Sequence, residues 1–538
     1  MANSQLWYKT DIFYELYVRA YKDSNGDGWG DLNGITESLD YLQELGVDTI
    51  WLLPISPSPL RDDGYDVSDY CDIHPKYGTM DDFRNLVEQA HLRKLKLLVE
   101  LVPNHTSDQH DWFQASRDPN HPEHAKYRDY YVWSNTDDQY KEARIIFIDT
   151  EKSNWTYDPV RKAYFWHRFF SHQPDLNYDN PEVQRAMLRS VQFWIDQGVD
   201  GIRVDAPPYL FEREGTNCEN LPETHVFLKR LRAFVDAYAP GTMLISEANQ
   251  WPEDVIHYFG NGDEMHMNFH FPLMPRLYMA LARADRTPIV DILARTPELP
   301  ESCQWGTFLR CHDELTLEMV TPEERDWMWD YYAPDPRMRL NLGIRRRLAP
   351  LVNNDFRKIM LLNSLLFTMG GSPFLYYGDE IGMGDNIWLD DRNGVRTPMQ
   401  WDDSQNAGFS FAPPDQLYAP VIDDETFGYK TVNVAAQRQN PASLFNQIRH
   451  MIATRKQFQV FGLGKFDWVD VNSQAVVAFK RTYQDQQFLL LHNLSDLPVE
   501  VRLPEAASGY SDVLSGTDFK DQNLTLQAYQ YLWLKLKE

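Results

Sequence analysis

Charged and polar side chains stand directly after several apolar stretches of this sequence. The stretches end in "ELVPNH", "GIRVDA", "ISEAN" and "CHDE", and the residues concerned are Asn104, His105, Arg203, Asp205, Glu247, Asn249, His312 and Asp313. Any one acid could merely cap the helix that follows its strand. Helix capping does not account for all of them together, in stretches otherwise rich in Val, Ile and Leu. The pattern therefore predicts a catalytic site that combines three carboxylates, two histidines and an arginine.

The elements that must position these residues repeat along the chain. Short apolar runs alternate with helical patterns, and the runs cover residues 12–19, 49–54, 95–103, 201–206, 243–248, 266–271, 307–312 and 374–380. Strands that are apolar almost throughout, separated by helices, indicate a parallel sheet covered on both faces. Eight such units predict an α/β fold, a (β/α)8 TIM barrel, whose functional residues stand at the carboxyl ends of the strands.

The spacing of the runs predicts where the barrel is interrupted. Residues 1–103 and 179–456 are expected to form the catalytic barrel. Residues 104–178, after strand 3, are expected to form an inserted subdomain that walls the active site, as long βα loops usually do. A smaller charged insertion after strand 7 covers 318–355. Short alternating strands from 457 to 538 predict a C-terminal antiparallel β-domain, a β-sandwich.

Composition indicates which classes of molecule the protein can bind and in which compartment it is expected. The chain has 538 residues and a formal net charge of −27, which argues against nucleic acid and anionic membrane surfaces as partners because both repel an acidic protein. Its cysteines form no CxxC pair and predict reduced thiols in a cytoplasmic setting; they are Cys71, Cys218, Cys303 and Cys311. We expect a soluble protein, because no targeting segment is recognised and glycines and a proline break the most apolar stretch.

Five motifs resemble those of a known family. "ELVPNH", "QPDLN", "GIRVDA", "ISEAN" and "HD" match, in order and spacing, the motif regions of the α-amylase superfamily, glycoside hydrolase family 13. The resemblance implies that Asp205 is the nucleophile, Glu247 the general acid/base and Asp313 the transition-state stabiliser. A retaining mechanism needs an ionised nucleophile and a protonated acid about 5–5.5 Å apart. We expect Arg203 to keep Asp205 ionised, and like-charge crowding to raise the pKa of Glu247.

The same resemblance implies a set of sugar-binding residues. His105 and His312 resemble donors to sugar hydroxyls, and Phe169, Gln173 and Arg203 belong to the same predicted site. Tyr65 and Asp66 in "GYDVSDY", with Arg396 in "GVRTPMQW", resemble a group that closes the pocket behind one terminal glucose. Such a pocket favours exo action on short oligosaccharides, so a disaccharide is the expected substrate. For Arg396 a domain-locking salt bridge is the alternative.

Two cation sites are expected, and no organic cofactor. Asp23, Asn25, Asp27 and Asp31 in "DSNGDGWGD" carry side-chain oxygens suited to a hard cation, and a calcium sensor, a structural clip and a solvated turn are the alternatives. A sensor of the EF-hand type needs a bidentate Glu where Gly34 stands. The resemblance implies a structural Ca²⁺ or Mg²⁺ clip that also uses the Trp29 carbonyl. It implies a second site at Asn104, Asp175, Tyr209, Leu210 and Glu212.

Two longer segments narrow the expected activity. Residues 209–225 and "IWLDDRNGVRTPMQW" from Ile387 resemble the branch of the family that isomerises maltose and α,α-trehalose by intramolecular glucosyl transfer, with minor hydrolysis. The first alternative is an α-glucosidase or oligo-1,6-glucosidase that hydrolyses short α-glucosides. The second alternative is a binding or transport protein with an inactive barrel. Three intact carboxylates argue against it, because such a protein does not need them. The oligomeric state stays open, with a homo-oligomer and a maltokinase association as expectations from the branch.

An isomerase must retain the released glucose while it turns. We expect residues flanking the acceptor subsite to close the pocket mouth: Tyr209, Asn249, Glu314 and Glu318. A helical turn after strand 7 would present Glu314 and Glu318 on one side, and a solvated helix face is the alternative. Three departures from the family pattern lie nearby. Cys311 stands where Asn is usual, Glu100 where Asp is usual, and Pro207 makes an unusual Pro-Pro.

Overall fold

The barrel predicted from the alternating runs is present. A computed structural model describes residues 6–504 and 509–537 of the chain. Eight parallel strands close on themselves, each paired with its neighbours in the sequence, and β8 pairs with β1 through Phe374 and Phe13. The strands are Phe13–Leu16 (β1), Thr49–Leu52 (β2), Lys96–Leu101 (β3), Gly201–Val204 (β4), Met243–Ser246 (β5), Met267–Phe269 (β6), Gln304–Phe308 (β7) and Ser372–Tyr376 (β8). Stacked aromatic rings fill the interior, with Phe13 and Phe374 4.2 Å apart.

Two strands were predicted too far along the chain. β7 ends at Phe308, so the predicted run 307–312 lies mostly in the loop that follows, and β8 ends at Tyr376 instead of 380. The residues after Phe308 are as buried as the strand itself, up to and including His312. An apolar pattern reports burial and not strand pairing, so it continues past the end of the sheet. The loop places Cys311, His312 and Asp313 above the barrel interior.

Helices cover the outside of the barrel. The helical segment between β1 and β2 is divided at Ser38, whose hydroxyl donates to the Gly34 carbonyl. The principal helices are Leu32–Glu37, Leu39–Leu45, Met80–Leu92, Pro181–Asp196, Pro222–Tyr238, Leu273–Arg283, Thr287–Ala294, Phe356–Thr368 and Leu444–Arg455. Within residues 6–504 and 509–537, no helix has the length and apolar character needed to cross a membrane.

Two insertions stand at the carboxyl ends of the strands. Between β3 and β4 lie the helices Asp111–Arg117 and His124–Tyr127 and a three-stranded antiparallel sheet of Trp133–Ser134, Trp155–Asp158 and Ala163–Trp166. After β7 a second antiparallel sheet joins Leu315–Thr316, Arg339–Leu340 and Gly343–Ile344, with the helix Pro322–Tyr332 between its first two strands. Both segments extend from the end of the barrel that carries the predicted catalytic residues.

The C-terminal domain is antiparallel, as the sequence predicts. Its larger sheet contains, in spatial order, Lys465–Trp468, Val476–Tyr483, Gln486–Asn493, Tyr531–Leu536, Tyr510–Asp512 and Asp518–Phe519. Val499–Arg502 pairs with Asn523–Leu526 in a second, two-stranded sheet. The buried Arg481 donates from this domain to the carbonyls of Thr368, Val460, Phe461 and Gly464. The bond to Thr368 fastens the domain to the barrel just before β8, and the other three hold the short helix Val460–Leu463 that leads into the domain.

Candidate active site

One pocket opens at the carboxyl ends of the barrel strands. It encloses about 830 Å³ including its mouth, within the range of small-molecule sites. Its wall contains Asp62, Tyr65, His105, Ile146, Phe147, Phe169, Asp205, Ala206, Tyr209, Glu247, Asn249, Phe271, Asp313, Glu314, Thr316, Glu318 and Arg392. The three predicted catalytic carboxylates therefore meet in one cavity, with most of the predicted sugar-binding residues around them.

Arg203 lies beneath these carboxylates and contacts two of them. Its Nη1 donates to Asp205 Oδ1 at 2.7 Å and to Glu100 Oε2 at 2.9 Å, and its guanidinium forms an ion pair with Glu247. Burial raises the pKa of Asp205, and the Arg203 charge opposes that rise. Because a cation favours the carboxylate form, the contact with Glu247 works against the protonated state that an acid catalyst needs.

Asp313 is held in its ionised form. Burial alone would raise its pKa, but His312, Arg392 and Arg396 together lower it well below the ordinary range. Arg392 Nη1 lies 2.9 Å and Arg396 Nη2 2.7 Å from Asp313 Oδ1. A carboxylate fixed by two guanidinium groups stays negative and cannot act as the acid, which suits the stabilising role predicted for Asp313.

The charged pair that closes the pocket is not the predicted one. Arg392 Nη2 donates to Asp62 Oδ1 at 2.5 Å, and both side chains line the cavity. Asp66 is fully buried away from the pocket and accepts from Ser58 Oγ and the backbone N–H groups of Arg61 and Asp62. The assignment of Asp66 to the sugar site is therefore wrong, because its carboxylate fastens the turn that presents Asp62.

Arg396 acts from behind the pocket. It forms an ion pair with Asp63, bonds Asp313 and donates through Nε to the His312 carbonyl at 2.8 Å. It does not line the cavity. The prediction that it grips the sugar is wrong, and the salt-bridge alternative describes its position better. In both cases the residue that lines the pocket lies four positions before the predicted one.

The loop that carries Arg392 is fixed by a residue of the insertion after β7. Arg345 donates through Nη1 to the carbonyls of Leu389 and Asp391 at 2.6 Å, and through Nη2 to that of Ile387 at 3.2 Å. Neither Arg345 nor Arg392 was predicted, although Arg392 lies within the quoted stretch "IWLDDRNGVRTPMQW".

His312 joins Glu15 and Tyr65 in a buried hydrogen-bond chain, and His105 lies at the pocket wall. His312 contacts Glu15 Oε1 through Nδ1 at 2.6 Å and Tyr65 Oη through Nε2 at 2.8 Å. Glu15 was missed, although it is a lone acid within the apolar run "IFYELYVR". Burial lowers the pKa of His105 to about 3, so its ring is neutral. His105 Nε2, buried at the pocket wall, has no hydrogen-bond partner among the described residues and can serve a sugar hydroxyl.

Phe169 and Gln173 have different positions. Phe169 lines the cavity and packs against His105 and Tyr209, with ring centroids 5.1 Å and 5.6 Å away. Gln173 lies behind the wall, where its Nε2 donates to Asp62 Oδ2 at 2.7 Å. Gln173 therefore orients Asp62 and does not line the pocket itself.

An ion pair between the two insertions spans the pocket mouth. Glu318 Oε2 lies 3.0 Å from Arg144 Nη1, and Arg144 also pairs with Glu219 and donates to Tyr209 Oη. Asn249 Nδ2 donates to Thr316 Oγ1 at 3.3 Å. The principal partner of Glu318 thus belongs to the insertion after β3.

Glu314 and Glu318 reach the pocket by strand periodicity. Leu315–Thr316 is a strand, and Glu314, Thr316 and Glu318 all line the cavity. Alternate residues of an extended chain point the same way, so the predicted helical turn is wrong while the shared side is right. Burial raises the pKa of Glu314 to about 7 against the Arg392 charge, and Asn341 Nδ2 donates to Glu314 Oε1 at 3.3 Å.

The second predicted cation site shows oxygens that need a partner. Asn104 Oδ1, Asp175 Oδ2 and Glu212 Oε1 are buried and accept no hydrogen bond from the part of the chain that the structure describes. Burial raises the pKa of Glu212, and the nearby charge of Asp175 raises it further. Two carboxylates and an amide oxygen, with the carbonyls of Tyr209 and Leu210, suit Ca²⁺. The residues at this position fit a cation.

The loop after β1, which is the first predicted cation site, differs because its acidic side chains already have partners within the protein. Asp23 accepts from Gly28 N and Ser410 Oγ, Asp31 accepts from Gly34 N, and Asp27 forms an ion pair with Lys76 at 2.9 Å. Over the described ranges, no group of three or more His, Cys, Asp or Glu side chains is arranged to hold a metal. These side chains fasten the loop by their own hydrogen bonds and do not fit a metal site as they stand. A cation held with Asn25 and the Trp29 carbonyl stays a prediction.

Known proteins resemble the chain over nearly its whole length. The profile of the α-amylase catalytic domain matches residues 15–330 and 340–464, and that of the α-amylase SusG C-terminal domain matches 476–530. The trehalose synthase/amylase TreS of Mycolicibacterium smegmatis is 54% identical, covering 99% of this chain and 93% of its own. The trehalose synthase of Pimelobacter sp. is 52% identical, covering 99% and 96%. The solved trehalulose synthase MutB of Pseudomonas mesoacidophila has a TM-score of 0.80 at 27% identity, covering 99% of both chains.

Proposed function

The chain belongs to the α-amylase family, and we propose that it isomerises maltose and α,α-trehalose by transferring a glucosyl group within one closed pocket. Its similarity to trehalose synthases over nearly the full chain supports an isomerase. Three carboxylates in the positions of nucleophile, acid/base and stabiliser support a glycosyl transfer. The disaccharide substrate is then maltose in one direction and trehalose in the other.

The observation that carries the proposal is the ion pair of Arg144 with Glu318 across the pocket mouth. An isomerase and a hydrolase make the same covalent intermediate and differ in the acceptor that reaches it first. A mouth closed by contacts between two insertions keeps the released glucose inside and bulk water outside. The geometry therefore favours internal transfer over an α-glucosidase.

Two displacements at the anomeric carbon account for the reaction. In the first, the Asp205 carboxylate bonds to C1 of the non-reducing glucose, while Glu247 gives its proton to the glycosidic oxygen and that C–O bond breaks. The freed glucose turns within the pocket. In the second, its anomeric hydroxyl attacks C1, Glu247 takes the hydroxyl proton and Asp205 leaves. Two inversions retain the α configuration at the donor carbon.

The remaining pocket residues hold the donor ring and the developing charge. Asp62 and Arg392 stand where they can bond the hydroxyls of the terminal glucose and prevent a longer chain from extending beyond it. His105 offers Nε2, and Asp313 supplies a fixed negative charge beside the reacting carbon. An oxocarbenium-like transition state is positive, so a carboxylate that stays ionised stabilises it.

Several further assignments belong to the proposal. A bound Ca²⁺ would be held by Asn104, Asp175 and Glu212 with the carbonyls of Tyr209 and Leu210, and its charge would compensate the two buried carboxylates. A homo-oligomer and a maltokinase association are supported by the sequence resemblance alone. A cytoplasmic location is supported by four free cysteines.

Incubation with maltose tests the proposal. We expect trehalose as the main product, little free glucose, and no incorporation of isotopically labelled glucose added to the solution. Glucose as the main product would instead identify an α-glucosidase. Maltose that binds without turnover would identify a binding protein.

A further inference from the structure

A second, smaller cavity lies inside the barrel behind Glu247. It encloses about 240 Å³ including its open side. Phe269, Phe308, Phe374 and Trp51 supply much of its wall. Glu247 lines both this cavity and the sugar pocket. The carboxyl group that must donate a proton therefore has the sugar on one side and an aromatic space on the other.

The polar groups in the cavity wall are already engaged. Glu15 Oε1 accepts from His312 N at 3.0 Å and contacts His312 Nδ1 at 2.6 Å. Apolar cavities of this kind stay dry, because a water molecule needs two or more polar partners to enter. The aromatic side of Glu247 therefore offers a water molecule few polar partners.

The charges that face Glu247 act in opposite directions. Arg203 on β4 forms an ion pair with it and favours the carboxylate. Several acids share its pocket or cavity and favour the protonated form: Glu15 on β1, Asp62 after β2, Asp205 after β4, and Asp313, Glu314 and Glu318 after β7. The other titratable side chains of the two walls are Arg392, His105, His312, Tyr65, Tyr209 and Cys311. Loss of solvent on the cavity side adds to the effect of the acids.

Cys311 is the cavity-wall residue whose chemistry has no place in the mechanism. It is 8% exposed, and burial raises the pKa of its thiol, so the side chain is neutral. A thiol behaves as a small apolar group and only a weak hydrogen-bond donor. A hydroxyl or an amide at this position would give water or Glu247 itself a strong polar partner inside the cavity.

We propose that Cys311 is a positioning residue for catalysis, which keeps the space behind Glu247 dry and thereby helps Glu247 to hold the proton that it gives to the glycosidic oxygen. Its role rests on the acid function proposed above for Glu247. Replacing the thiol with a polar group should admit water, stabilise the Glu247 carboxylate and deplete the protonated acid at lower pH.

The test compares polar and apolar replacements. In Cys311→Ser and Cys311→Asn, the alkaline limb of kcat/KM for maltose should move to lower pH by about one unit, the effect of one hydrogen bond to a charged group. Cys311→Val, which keeps the wall apolar, should retain the wild-type limb. Phe308→Leu changes only packing, so it should lower Tm and leave the limb in place.

The leaving group supplies a second measurement. A nitrophenyl α-glucoside departs with little protonation, so Cys311→Ser should lose several-fold less activity on it than on maltose at high pH. The proposal is overturned if the alkaline limb of kcat/KM is the same in Cys311→Ser, Cys311→Asn and the wild type. It is also overturned if Cys311→Val shifts that limb as much as Cys311→Ser does. Glu247→Gln separates this result from the proposed function. If Glu247→Gln isomerises maltose normally, the acid role itself fails; if it is inactive while Cys311→Ser is unshifted, only the role of Cys311 fails.

Discussion

Arg392 and Asp62 form an ion pair of 2.5 Å across the pocket although 330 positions separate them in the sequence. Asp66, only four positions from Asp62, points away from the pocket and fastens a turn. The pocket is thus closed behind a single sugar ring by a contact between loops after β2 and β8. This relationship decides which of two neighbouring acids binds substrate.

Replacing Asp62 and Asp66 separately should distinguish a role in substrate binding from a role in stability. Asp62→Asn and Arg392→Lys are expected to raise KM for maltose roughly 10- to 100-fold, because each removes a charge-assisted hydrogen bond. Asp66→Asn is the matched control and should lower Tm while KM changes little. Steady-state kinetics and thermal melts of the three variants distinguish the roles. A larger KM effect in Asp66→Asn than in Asp62→Asn would reverse the assignment.

Removing the nucleophile should abolish both reactions. Asp205→Asn is expected to lower isomerisation and hydrolysis by more than about three orders of magnitude, because the covalent intermediate cannot form. The variant should keep the fold, as judged by circular dichroism, since the asparagine fills the same space beside Arg203. Appreciable turnover of maltose by this variant would exclude Asp205 as nucleophile.

Weakening the contact across the pocket mouth should change the ratio of glucose to trehalose more than it changes the rate of maltose consumption. Glu318→Ala breaks the ion pair with Arg144, so more free glucose should form per trehalose while total maltose consumption falls less. Labelled external glucose should then enter the trehalose. Glu323→Ala, in the exposed first turn of the helix Pro322–Tyr332, is the control. If Glu318→Ala keeps the wild-type product ratio and admits no label, these residues do not close the pocket.

Cation removal should destabilise the protein through Asp175 and Glu212. A ligand that binds only the folded state raises stability, so a chelator should lower Tm and excess Ca²⁺ should restore it. Glu212→Gln is expected to bind one cation fewer, measured by atomic emission, and to lose most of this response. Asp27→Ala reports on the loop after β1 independently. A wild-type Tm that ignores chelator would argue against both sites.

Buried histidines should make the fold sensitive to acid. Burial lowers the pKa of His492 to about 3, against an ordinary value near 6.5. Below pH 6.5 the His492 ring binds a proton in the unfolded chain but stays neutral in the folded chain. The stability contribution is therefore complete above pH 6.5 and is lost as pH falls toward 3, at up to about 1.4 kcal/mol per pH unit.

A variant isolates this contribution. His492 Nε2 contacts Ser364 Oγ at 2.9 Å, between the C-terminal domain and the barrel. His492→Gln should lower Tm at pH 7.5 but show a smaller further loss between pH 6.5 and 5 than the wild type. Equal slopes of Tm against pH in the two proteins would show that His492 does not contribute to the acid sensitivity.

The order of residues alone was enough to predict the barrel and the three carboxylates. Strands that are buried on both faces must be apolar almost throughout, so the eight runs identified the sheet and the residues after them identified its functional end. Side chains of an extended strand alternate with a fixed period, so Arg203 and Asp205 could be placed on one side without a structure. The same reasoning identified Glu247, Asn249 and His105 at strand ends.

Which neighbours of those residues belong to the site depends on the tertiary structure. Asp62 and Asp66 lie on a turn in which Gly64 has a positive φ of 104°, and a turn has no periodicity from which side-chain direction could be read. Arg144 and Glu318, like Arg392 and Asp62, meet because separate loops fold against one another. The cavity behind Glu247 is the space left by aromatic rings from several strands. Such distances and spaces depend on how distant segments pack, and the order of residues along the chain does not specify them.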